Sequence, residues 1–105
     1  MVWELRITRD GGETTRIGLQ GRLSGATSPQ LAAVLEEEIA AGNRRIALNL
    51  KELDYISSAG IVTIQSVAAR LLTEGGSLRL TGAQPAVRVA LELAGLGARV
   101  EECQP

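Results

Sequence analysis

Trp3, Leu5 and Ile7 alternate with Glu4, Arg6 and Thr8 at the start of the chain, which is the period of a half-buried strand. Asp10-Gly11-Gly12 follows as a turn signal, and Ile17, Leu19 and Leu23 resume the alternation, so the chain is expected to open with a β-hairpin. The pattern then becomes helical. Ser28-Pro29 reads as an N-cap and first helical residue. Leu31, Val34, Leu35 and Ile39 form one apolar stripe, the acidic triplet Glu36, Glu37 and Glu38 lies largely off it as a solvated face, and Gly42 supplies the stop.

Ile46, Leu48 and Leu50 alternate once more around Ala47 and Asn49. Apolar or small residues on both sides of the alternation suit a central strand, and Lys51 to Asp54 reads as a short acidic loop after it. From Ser58 the helical period returns in Ile61, Ile64, Ala68, Leu71 and Leu72, ended by Gly75-Gly76. Leu78 and Leu80 mark a further strand that stops at Gly82. Pro85 starts a third helix carrying Val87, Ala90, Leu91 and Ala94, and Ala98 to Val100 reads as a short edge strand. The order is β-β-α-β-α-β-α-(β). Strand–helix–strand units with short loops pair in parallel through right-handed crossovers. The expected fold is therefore an α/β mixed sheet of four to five strands, with an N-terminal antiparallel hairpin and a helical layer on at least one face. No repeat, linker or low-complexity segment divides the chain, and 1–105 reads as one domain.

Composition narrows the chemistry. The chain is 45% apolar with only Trp3 and Tyr55 as aromatic residues, so the core is aliphatic. Trp3 is expected to be buried rather than to serve as a self-association contact. Eleven basic residues against twelve acidic ones, with no aromatic stacking platform, argue against nucleic acid. Histidine is absent and the single cysteine, Cys103, is next to the C-terminus. That excludes His-based acid–base chemistry, Ser-His-Asp and Cys-His nucleophile systems, an intrachain disulfide and the usual zinc sets. Neither a signal-peptide core nor a membrane-spanning run is present, so a cytoplasmic location without membrane insertion is expected. Gly18, Gly21 and Gly25 match no phosphate-loop spacing. No catalytic constellation, cofactor or metal is expected.

Ser57 and Ser58 stand at the mouth of the second predicted helix. Serine is a preferred cap for the unpaired N–H groups there, and capping needs only one of the two. The same position accepts a phosphate well: its charge of roughly −1.5 to −2 sits against the positive end of the helix dipole. Such a modification leaves the fold standing while it inverts the local surface charge, which suits a binding switch.

The run from Ile46 through Asn49, Asp54, Tyr55, Ser57, Ser58 and Gly60 to Ile61 resembles the signature of STAS domains of the anti-sigma factor antagonist family. Gly21 to Leu31, including Ser24, resembles that family's exit from the second strand into the first helix, and Gly75 to Leu80 its turn into the fourth strand. The resemblance implies a non-enzymatic, phosphorylation-switched protein. Unphosphorylated, it would bind an anti-sigma factor that is itself a serine kinase; a serine phosphatase would reverse the modification. The phosphoacceptor falls on Ser58, with Ser57 as second choice, and the partner-contacting set on Ser24, Asn49, Asp54, Tyr55, Ser57, Ser58 and Gly60. Three positions depart from the family's pattern: Ser24, Asn49 and Ser57 stand where aspartate is common, which leaves Asp54 as the nearest carboxylate in sequence. The alternative is a constitutive module of the same fold, either a cytoplasmic subunit of a lipid-transport ATPase complex or a stress-signalling scaffold, in which the serines only cap a helix.

Overall fold

In the computed structural model, which describes residues 4–97 and the backbone of 100–101, the hairpin forms from β1 (Leu5–Asp10) and β2 (Thr15–Leu23). They pair antiparallel, with Leu5 opposite Gly21 and Ile7 opposite Leu19. The chain continues through α1 (Ser28–Ala40), β3 (Arg45–Ile56), α2 (Ser58–Thr73), β4 (Ser77–Thr81), α3 (Pro85–Leu93) and β5 (Val100–Glu101). Trp3, Ala98 and Cys103 lie outside the described residues.

The sheet runs β1-β2-β3-β4-β5, in sequence order, with every pair after the hairpin parallel. Right-handed crossovers that all step the same way across a sheet leave their helices on one face. One core follows: Ile17, Leu19, Ile46, Leu48, Leu78 and Leu80 from the sheet meet Leu31, Leu35, Ile64, Leu71, Val87 and Leu91 from the helices. The alternate residues Arg6, Arg16, Gln20, Asn49 and Arg79 are exposed on the other face.

Local details differ from the sequence reading in five places. β3 does not end at Leu50 but runs for 12 residues to Ile56, so Lys51 to Asp54 is strand rather than loop. Its register against β2 slips twice, between Gly18 and Gln20 and between Gly21 and Arg22. Each slip adds one residue to β3, as a bulge does, and the buried positions Leu50, Leu53 and Ile56 are therefore three apart. The N-cap of α1 is Thr27, one residue before Ser28. Leu72 is 65% exposed, and Val67 takes its expected place in the core. The acidic triplet is not simply solvated: Glu37 and Glu38 pair with Arg9 at 3.0 Å, and Glu36 pairs with Arg70. The edge strand comprises Val100–Glu101.

All three helices close in the same way. The N–H of Gly42, Gly75 and Gly95 bonds back to Ile39, Leu72 and Glu92, and the next N–H reaches Glu38, Leu71 and Leu91. Positive φ at these three glycines makes each a Schellman stop, as the glycine positions in the sequence suggest.

Candidate functional site

The extension of β3 carries its end to the mouth of α2. There the Ser57 N–H donates to the Leu23 carbonyl at 2.8 Å, which ties the exit of β2 to the entrance of α2. Ser57 is in extended conformation and is the N-cap: its Oγ accepts from the Gly60 N–H at 3.2 Å. Ser58 is the first residue of the helix and is exposed. Capping therefore falls on Ser57 alone. Gly60 is buried, and a Cβ there would sit 2.8 Å from Leu23 Cγ and 3.1 Å from Ile56 Cγ1. Its role is close packing of the helix entrance against the β2 exit.

Ser24 occupies the loop that leaves β2. Its N–H donates to Thr27 Oγ1 at 2.8 Å, and its Oγ accepts from the Ala26 N–H at 3.2 Å. Thr27 in turn donates to the Arg22 carbonyl at 2.7 Å, so this buried threonine holds the loop. Sequence reasoning passed over Thr27; its hydroxyl just before Ser28-Pro29 was the available signal. The bond from Ser57 to Leu23 places Ser24 next to the α2 entrance.

Asp54 and Tyr55 are exposed at the end of β3, just before Ser57. The Arg22 guanidinium lies over the Tyr55 ring, 4.5 Å from its centroid, and Gln84 donates to the Lys51 carbonyl at 2.9 Å and reaches Asp54 Oδ1 at 3.5 Å. Asn49 is not part of this cluster. It lies eight residues before Ser57 on the open face, where its Oδ1 accepts from the Lys51 N–H at 2.9 Å.

Two depressions flank the cluster on the α3 side. One of ≈ 210 Å³ is lined by Asp54, Tyr55, Ile56, Ala86, Val87 and Ala90. The other, ≈ 390 Å³, has Ser58 on its wall together with Ile61, Val62, Ala90, Leu93 and Ala94. Leu93 is 85% exposed and Val62 56% exposed. The phosphoacceptor candidate thus borders an apolar groove between α2 and α3. Val62 and Leu93 are functional candidates that the sequence reading did not single out; apolar side chains off the buried stripes were the only sign of them.

A family model described as "Mlab, STAS domain" matches residues 8–101. The chain belongs to the STAS domain family. A protein of Bordetella bronchiseptica, BtrV, named as a candidate anti-sigma factor antagonist, is 42% identical over 77 residues; the match spans 73% of this STAS domain and 66% of BtrV, just under two thirds of that relative. Among solved structures, the unphosphorylated anti-sigma factor antagonist SpoIIAA superposes with a TM-score of 0.83 at 24% identity, over 95% of this chain and 88% of its own. The phosphorylated Bacillus cell-fate determinant SpoIIAA gives 0.77 at 23% identity, over 95% and 91%. These superpositions bear out the STAS fold. No helix among the described residues is long and apolar enough to cross a membrane.

Proposed function

We propose that this STAS domain is a cytoplasmic anti-sigma factor antagonist, whose grip on an anti-sigma serine kinase is released by phosphorylation of Ser58 and restored by a serine phosphatase. The observation that carries the reading is the division of labour at the α2 entrance: Ser57 supplies the cap, and Ser58 stands exposed beside an apolar groove. A hydroxyl that served only to cap would be redundant there. The name of BtrV, and the SpoIIAA structures in both phosphorylation states, support the same reading.

The switch works by local physics. The first N–H groups of α2 lack intrahelical acceptors, so a phosphate on Ser58 meets donors and the positive end of the dipole, and the domain stays folded. The charge of roughly −1.5 to −2 then borders a groove whose other walls are apolar. A partner seated there by apolar contact would have to strip water from that phosphate, and the complex is lost. Asp54, near the end of β3, adds like charge for an acidic partner surface. The domain acts by binding, and ATP belongs to the kinase.

The test is capture of partners from the host with wild type, Ser58→Ala and Ser58→Glu. The expected result is an ATPase kinase held by wild type and Ser58→Ala and lost from Ser58→Glu, with Ser58→Glu unfolding at the same temperature. Equal retention of the same partners by all three forms would overturn the switch and identify a constitutive STAS module.

A further inference from the structure

β1 is one end of the sheet, and its outer edge has no strand or main-chain partner among the described residues. The direction of its backbone groups follows from one bond. The Arg22 N–H donates to the Glu4 carbonyl at 2.8 Å, and the two residues continue the register that puts Leu5 opposite Gly21. In an antiparallel ladder, opposed residues that bond each other alternate with opposed residues that do not. Arg6, Thr8 and Asp10 therefore bond β2, whereas the N–H and C=O groups of Leu5, Ile7 and Arg9 point away from the sheet.

Sheet edges are ordinarily blunted by proline, lysine, a bulge, charge or a very short strand. β1 has 6 residues, neither proline nor lysine among them, and an unbroken register against β2. Its charges would discourage an arbitrary strand, yet they complement a second copy of themselves. Two-fold self-pairing uses the same patch on both chains and is antiparallel. It must oppose outward-pointing residues, so the axis passes through a residue rather than between two. Two centres, Ile7 and Thr8, keep all but one strand residue paired. On Ile7, Glu4 would face Asp10 of the second copy, like against like. On Thr8, Arg6 faces Asp10 of the second copy, and Asp10 faces its Arg6. Both residues are exposed, and neither forms an ion pair among the described residues. Arg16 stands opposite Asp10 on β2, so the carboxylate would lie between two guanidinium groups. Thr8 meets its own copy, a favoured cross-strand pair. On the helix face Ile7 packs along the stem of Arg9, whose guanidinium is held by Glu37 and Glu38 of its own chain.

We propose that β1 is a homodimerisation edge, at which two copies pair antiparallel about Thr8 into one continuous sheet. Ile7 and Arg9 exchange the main-chain bonds, and Arg6 and Asp10 set the register. The interface is small, so association is weak and concentration-dependent. The inference does not depend on phosphorylation of Ser58, which stands at the entrance to α2 and not on this edge.

Sedimentation equilibrium of the full chain, in a series reaching about 1 mM, should show a monomer–dimer equilibrium that salt weakens. Arg6→Asp and Asp10→Arg, each alone, should weaken it roughly tenfold or more. Mixed in equal amounts, the two variants should dimerise with each other, because each supplies the charge that the other lacks. Thermal unfolding checks that every variant is folded. Oxidation of Thr8→Cys/Cys103→Ser reads the register: the facing Cα atoms would lie about 4.5 Å apart, within disulfide reach. The exposed control Gln20→Cys/Cys103→Ser should stay uncross-linked. A wild type that is monomeric throughout the series would overturn the proposal, as would undiminished dimerisation of Arg6→Asp and Asp10→Arg. Failure of their mixture to dimerise, or cross-linking of the Gln20 control as fast as that of the Thr8 variant, would overturn the pairing about Thr8.

Discussion

Ser57 and Ser58 are neighbours of the same type, yet their surroundings give them different energetic weights. Ser57 satisfies the Gly60 N–H through its side chain and bonds the Leu23 carbonyl through its own N–H. Ser57→Ala removes the side-chain bond and exposes an unpaired donor at a helix start, a change that costs about 1 kcal/mol. Ser58 is exposed at the first helical position, and an exposed substitution away from a cap stays within about 0.5 kcal/mol. Urea denaturation of the two alanine variants should therefore separate them, with Ser57→Ala the weaker fold. Equal loss in both, or greater loss in Ser58→Ala, would mean that capping is shared and would remove the main reason for placing the phosphate on Ser58.

At the scale of elements, β3 is where the sequence pattern and the structure part company. Its first half alternates with a period of two, and that half was legible. Beyond Leu50 the two extra residues shift the buried positions to every third, which resembles neither strand nor helix over so short a run. Lys51, Glu52 and Asp54, charged and exposed, complete the disguise. Leu53 is fully buried within this stretch. Leu53→Ala should cost about 2–5 kcal/mol by the loss of a core side chain and the cavity left behind, whereas a residue in a solvated loop would cost far less. The rest of the framework was readable because its signals are local: glycines at the helix stops, prolines at the starts of α1 and α3, and alternation in the hairpin. The apolar groove beside Ser58 was not readable, since Val62 and Leu93 come together only after α2 and α3 pack. The link between α1 and β1 was hidden for the same reason. Arg9 holds the Glu38 carboxyl below the usual glutamate range, chiefly through their hydrogen bond, with burial opposing and Asn43 assisting. A depressed carboxylate pKa stabilises the fold above the unfolded value of about 4.3 and loses that contribution as pH falls through the folded value. The stability gap between wild type and Glu38→Gln, followed by urea denaturation against pH, should be full near neutrality and close in acid below that window. A gap independent of pH would show that the ion pair contributes nothing.

Across the whole molecule, the single direction of winding decides where each surface lies. Because no crossover reverses, the sheet has no switch point of the kind that forms ligand crevices in doubly wound folds, and the helices share one side. The entrance of α2 and the face of α3 are thereby brought together over the end of β3, with Ala90 lining both depressions there. If partner docking uses this shared wall, apolar contact at its far rim should matter as much as charge at Ser58. Leu93→Lys tests that dependence. Leu93 is 85% exposed in the last turn of α3, so its loss leaves no cavity, and a cation near a helix C-terminus is favoured by the dipole. Stability should change by less than about 0.5 kcal/mol. Calorimetric titration with the captured partner should nevertheless show affinity reduced roughly tenfold or more, as expected for an apolar anchor at an interface. Ser58→Glu should lose binding by a different route, through a desolvated charge. Full affinity in Leu93→Lys would place the docking surface on the Ser24, Tyr55 and Ser58 side of the entrance and leave the groove outside it.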